Sequence, residues 1–217
     1  MKKQRFVSFC AALLALLAVM SALFACSDGE MSEETFPEET YGGLPEYDVE
    51  NIESYIKPFE YKGLTVTLAE GETAQEKLWV EISENVEIIS YPEAQVNYYA
   101  EQERAKYRYF ASRDGIEYDK ILEGLGVTEE SIILSAKALV KDDLILEYII
   151  KDAGIVLSNE EKQLHFDKYA EKYVEIYGYN REYVSANMAE QIYGSMLYDK
   201  TMEFLVLNNT VQTNQSK

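Results

Sequence analysis

Residues 128–150 read TEESIILSAKALVKDDLILEYII, and neither glycine nor proline breaks the run. Thr128 is placed to cap a helix, and Glu129 and Glu130 follow in the first turn, where the helix dipole favours negative charge. Ile132, Ile133, Ala136, Leu139, Val140, Leu144 and Tyr148 fall on one wide helical stripe. Leu134, Ala138, Ile145, Leu146, Ile149 and Ile150 extend it almost all round. A helix apolar on most faces must be covered by other helices. Its length, and Lys137, Lys141, Asp142 and Asp143 in its middle, argue against a membrane span. The run is therefore the central helix of a helical domain.

The caps along the rest of the chain supply its partners. Thr73 with Glu76 forms a capping box opening a helix to about residue 89, with Leu78, Trp79, Ile82 and Val86 inside. Pro92 suits the first turn of a second helix, 93 to about 112, which Asp114-Gly115 ends. A short helix over 118–122 follows, closed by Gly124-Leu125-Gly126. The central helix ends at Gly154. Ser158 with Glu161 opens a helix carrying Phe166, Tyr169, Ala170, Tyr173, Val174 and Tyr177, which Gly178 closes. Asn180 caps a last helix, 181 to about 207. Residues 58–68 alternate as one strand, with Leu64, Val66 and Leu68 against Thr65 and Thr67, and no strand of similar quality offers a partner. The polar tail, 212–217, is expected to fray. The fold class is mainly α: a multi-helix bundle with two helical arms around a long central helix and one short N-terminal β-strand. Each arm is a tyrosine-rich helix, a glycine turn and a new helix.

The N-terminus reads as a targeting signal. Lys2, Lys3 and Arg5 precede an apolar stretch, 6–23, and then Leu23-Phe24-Ala25-Cys26, which resembles the bacterial lipobox. The resemblance implies that residues 1–25 are a lipoprotein signal peptide, that Cys26 is lipidated, and that the body is lipid-anchored at the extracytoplasmic face of the bacterial cell membrane. An uncleaved N-terminal anchor leaves the same topology. Cys10 departs with the signal, so the mature chain has no disulfide and rests on its apolar core. Residues 27–54 hold ten acids and neither lysine nor arginine. Residues 26–57 are therefore read as an acidic disordered tether. A formal net charge of −19 argues against nucleic acid as a partner and against an electrostatic grip on anionic lipid.

No catalytic constellation stands out. His165 is the lone histidine, and the sequence has no HExxH, CxxC, GxSxG, P-loop or DxDxDG calcium loop. Gly124-Leu125-Gly126 follows a helix and is no dinucleotide turn. Asp142 and Asp143 are read as a solvated face. No catalytic residue, cofactor or metal ligand is assigned.

The segments 126–184 and 197–211 resemble the C-terminal, SurA-like chaperone domain of trigger factor. The matching features are the Leu-rich end of the long helix (144–150), Gly154, the Ile-x-Leu-Ser-x-x-Glu entry (155–161) and a closing Lys-x-x-x-Phe-Leu helix (200–205). Tyr91-Pro92-Glu93 sits where that family starts its first arm, and Tyr61-Lys62-Gly63-Leu64 looks like the strand leading into its prolyl isomerase domain. The resemblance covers 58–211, taken as one helical domain. It implies a chaperone that binds unfolded or exported polypeptides in a helical cradle. It does not extend to the isomerase, because residues 69–90 are too few for a domain of roughly 100 residues.

Tyrosine, present 18 times, suits such a cradle because it offers a large amphipathic surface with few rotors to immobilise. Candidate client contacts are Tyr98, Tyr109, Tyr169, Tyr173, Tyr177 and Tyr183, with Met188 and Met196 as adaptable apolar lining. For each, packing in the core is the competing assignment. The rival functions are a non-catalytic helical lipoprotein docking one cell-envelope partner, and an enzyme whose acids or His165 converge in a pocket. The sequence leaves open whether two copies close one cradle on the other as a homodimer.

Overall fold

The computed structural model describes residues 44–213. The signal peptide, Cys26 and the first part of the acidic segment lie outside them. Among the described residues, no helix is long and apolar enough to cross a membrane.

The chain is mainly α. A 3₁₀ helix spans Val49–Ser54. The helices are α1 (Ala74–Asn85), α2 (Glu93–Asp114), α3 (Tyr118–Leu125), α4 (Glu129–Ala153), α5 (Asn159–Tyr177), α6 (Arg181–Asn187) and α7 (Ala189–Leu207). The two short strands are β1 (Thr65–Leu68) and β2 (Thr210–Thr213).

The expected central helix is α4. Capping boxes at Thr73, Thr128 and Ser158 open α1, α4 and α5. At the end of α4, Gly154 takes φ +64, and the N–H of Ile155 closes back onto the Ile150 carbonyl at 2.9 Å. A side chain at that φ is strained, which accounts for a glycine there. One face of α4 is fully buried, with Ile132, Val140, Leu144, Ile145 and Ile149 at 1% exposure or less. The apolar stripe is narrower than the sequence implies, since Leu134 is exposed.

The core is split. Helices α1, α2, α3, α4 and the C-terminal half of α7 share one apolar cluster, in which Leu78, Trp79, Ile82, Val96, Met202 and Leu205 meet the buried face of α4. A second cluster holds the other arm together: Ala170 of α5, Val184 of α6, and Ile192 and Met196 of α7.

Four expectations are corrected. The tether does not extend to residue 57. Residues 47–56 form a strap on the body, because Ile52 and Ile56 are fully buried and Ile56 bridges Ile88. The strap makes the bonds that a free acidic segment lacks: the Ile89 N–H donates to the Tyr55 carbonyl (2.7 Å) and Lys151 Nζ to the Glu50 carbonyl (2.8 Å). The first helix stops at Asn85, short of 89, because the peptides of Glu87 and Ile89 are engaged by the strap. The last helix is broken at Met188 (φ −120, ψ 18). Just before the break, Ser185 and Asn187 turn their side chains back onto the carbonyls of Arg181 and Tyr183, a contact that bends helices. The bend brings Val184 and Ile192 into one cluster.

The tail is the fourth. Residues 210–213 pair in parallel with β1, in register Thr65↔Thr210 through Leu68↔Thr213. Asn209 fixes this pairing. Its Oδ1 accepts from the Leu64 N–H (2.7 Å), and its Nδ2 donates to the carbonyls of Leu205 (2.7 Å) and Tyr61 (3.0 Å).

Candidate functional site

The second arm presents its tyrosines in a row. Gly178 (φ +70) ends α5 and Asn180 caps α6, so the chain reverses over three residues. The reversal stacks Tyr173, Tyr177, Tyr179 and Tyr183 in sequence. Successive ring centroids lie 5.5, 6.1 and 4.8 Å apart, and the middle pair is nearly parallel at 16°. These are the separations of attractive aromatic pairs. Tyr177 is 49% exposed, Tyr179 45% and Tyr183 39%, and Ile176 beside them is 52% exposed. The base of the row is anchored: the Tyr173 hydroxyl lies 2.8 Å from Ser195 Oγ and donates to the Gln191 carbonyl at 3.1 Å. Burial, with the neighbouring phenols of Tyr173 and Tyr179, raises the Tyr177 phenol above its ordinary value.

The sequence-derived candidates divide between this tip and the interior. Tyr177 and Tyr183 are on the open row. Tyr173 bridges to α7. Tyr169 packs on the arm's cluster and donates to Asp199 at 2.6 Å, with its phenol raised to about 12 by burial and then by Asp199. Met188 packs against the same cluster. Met196 is buried at 4% exposure and presents no surface, because its face of α7 closes the arm's core. Tyr98 and Tyr109 are half-buried on α2, with their rings 5.4 Å from Tyr99 and 5.9 Å from Phe110. They belong to the other arm and do not join the row. Tyr179 was missed by sequence reasoning. It sits in the turn between two helices, where helical periodicity says nothing; its only signal was a third tyrosine beside Gly178.

Asp142 and Asp143 are not a solvated face. Asp143 accepts from the hydroxyls of both Tyr47 and Tyr99 at 2.7 Å, and Asp142 accepts from the Trp79 indole N–H at 3.1 Å. Burial raises both carboxyls above the usual range, and raises Glu147 nearby. Burial also pushes the phenols of Tyr47 and Tyr99 upward. The group ties the strap and α2 to α4. Among the described residues, no group of three or more acids, histidines or cysteines is arranged to hold a metal ion.

His165 lines a small hollow of about 230 Å³ with Glu161, Asp199 and Lys200. Of its three carboxylates, Glu161, Asp199 and Glu203, two are already engaged, Glu161 by Lys200 (2.5 Å) and Asp199 by Tyr169. Lys200, with the Ser158 cap, holds Glu161 down to about 2.

The geometry thus defines a mainly α, two-armed body with an aromatic tip. Over part of its length the chain is related to trigger factors. It is 27% identical over 129 residues to the trigger factor of Caldicellulosiruptor saccharolyticus, covering 58% of this chain and 28% of that one. It is 29% identical over 120 residues to that of Caldicellulosiruptor bescii, covering 54% and 26%. The chain therefore matches little more than a quarter of the length of these relatives. No family model matches it, and neither does any solved structure.

Proposed function

We propose that the chain is a lipid-anchored holdase of the extracytoplasmic face, binding unfolded or exported polypeptides through the aromatic tip of its second arm. The observation that carries this reading is the row of tyrosines left open on an arm whose own core is already closed. The partial relationship to trigger factors supports a chaperone-like role. Tyrosine rings with few rotors can hold varied apolar segments at low entropic cost. Membrane attachment rests on Cys26 and the lipobox-like run before it. Isomerase activity is not carried over. Residues 69–90, where the resemblance implies that domain begins, contain α1, whose Leu78, Trp79 and Ile82 are buried in the main core.

The test is light scattering of a chemically unfolded protein diluted with and without a soluble form beginning at residue 44, which keeps the strap. Suppression is expected at near-stoichiometric amounts. It should fall when Tyr177, Tyr179 and Tyr183 are all changed to Ser, with Trp79 emission unchanged as evidence of an intact fold. Absence of suppression over a wide excess, with several clients, refutes the holdase and leaves the single-partner docking lipoprotein.

A further inference from the structure

A second surface is built from residues packed with the main cluster, not with the arm's. A groove of about 660 Å³ runs between the segment before β1, α1 and the end of α4. This is within the size range of ligand pockets. Its floor is aromatic. The rings of Phe59 and Tyr148 lie 4.7 Å apart, those of Phe59 and Tyr61 6.0 Å. Its charged lining is three carboxylates, Glu60, Glu81 and Asp152, against one ammonium, Lys62. Asp152 is engaged by the Tyr61 hydroxyl and Glu81 takes only a long contact from the Asn85 amide (3.5 Å), and neither Glu60 nor Glu81 has a cation among the described ion pairs. Burial, and after it the field of Asp152, Glu53 and Glu60, raises the Tyr148 phenol.

One ammonium of the lining, that of Lys62, rests on an aromatic ring of the groove, Tyr61, and on Phe204 outside it. Lys62 Nζ stands 4.8 Å from the Tyr61 ring centroid and 5.6 Å from that of Phe204. Those distances fit attraction between a cation and a ring face. The acidic N-terminal segment cannot fill the groove, since residues 27–54 have no cation to offer. A second copy, at net charge −19, is repelled.

We propose that this groove binds a lysine or arginine side chain of an extended polypeptide, seated on the Phe59–Tyr148 floor between Glu60 and Glu81. The proposal names the clients the holdase selects and rests on that reading for its biological use. Peptide affinity is measured without aggregation, so the two can fail separately.

Fluorescence anisotropy of the full-length chain in detergent micelles compares two short labelled Gly-Ser peptides, one bearing lysine and the other norleucine at the same positions. The lysine peptide is expected to bind about tenfold tighter. The preference should disappear in Glu60→Gln/Glu81→Gln, and increase in Lys62→Gln, which removes the one repelling ammonium from the lining. It should persist in Glu160→Gln/Glu171→Gln, which removes the same charge from exposed positions of α5. Equal binding of the two peptides overturns the proposal. A preference retained in Glu60→Gln/Glu81→Gln also overturns it, since general attraction to an acidic protein then suffices.

Discussion

Ile52→Ala separates a folded strap from a free tether. Ile52 has 0% exposure and sits in the 3₁₀ helix that packs against α4. Truncating a fully buried isoleucine to alanine costs about 2–5 kcal/mol, the lost transfer energy of its methyl groups plus the cavity left behind. The strap is also held by Ile56, Tyr47 and the backbone bonds to 87–90, so it cannot simply collapse into the void. That places the cost near 3 kcal/mol, or a fall in Tm of roughly 6–12 °C for a domain of this size. Urea unfolding followed by Trp79 emission reads it directly. Trp79 is the only tryptophan, is 5% exposed, and donates to Asp142 on the helix the strap covers. The midpoint should fall while the slope stays constant, because the strap unfolds with the body. Glu50→Ala, at an exposed position of the same turn, should change stability by less than about 0.5 kcal/mol. An Ile52→Ala effect as small as that of Glu50→Ala refutes the strap and restores the free tether.

Asn209→Ala removes two hydrogen bonds to the segment before β1, at Leu64 and Tyr61, and one to the Leu205 carbonyl at the end of α7, and should destabilise by about 1–3 kcal/mol, with early loss of amide protection at Leu64 in hydrogen exchange. Asp142, Asp143 and Glu147 have folded pKa values above their ordinary ones, so the native state binds their protons more tightly. Their contribution to stability should rise as pH falls from the raised values toward 3.8 for the aspartates and 4.5 for Glu147. Asp143→Asn should flatten that part of the profile of urea midpoint against pH, and an unchanged profile contradicts the buried cluster. Glu161 acts in the opposite sense. Held at about 2, it stabilises above pH 4.5 and loses this contribution as pH falls below that value, so Glu161→Gln should lower stability at pH 7 and remove this acid sensitivity. Gly154→Ala places a side chain at φ +64 in the turn that ends α4 and should cost about 1 kcal/mol in the same unfolding assay.

The helices were legible because their signals are local. The capping boxes at Thr73, Thr128 and Ser158 and the glycine stops at 115, 154 and 178 act within four residues of themselves. The apolar run of α4 likewise demanded neighbours before any neighbour was known. Tyr177 and Tyr183 could be singled out as aromatic, but periodicity could not say which side of the arm its core would occupy. Met196 shows this, with a pattern suited equally to a lining or an interior, and only the seating of α7 on α5 put it inside.

What the sequence by itself determined is the capped starts and glycine ends of most helices, the central role of residues 129–153 and an acidic, tyrosine-rich character. What only the tertiary structure decided are pairings distant in the chain. Strand β1 waited 145 residues for its partner β2, Tyr47 met Asp143 across 96 residues, and an acidic segment without a hydrophobic pattern closed the core through Ile52 and Ile56. The physical reason is range. Caps and periodicity depend on bonds within one turn of helix, whereas burial depends on which surfaces remain uncovered once the helices have met.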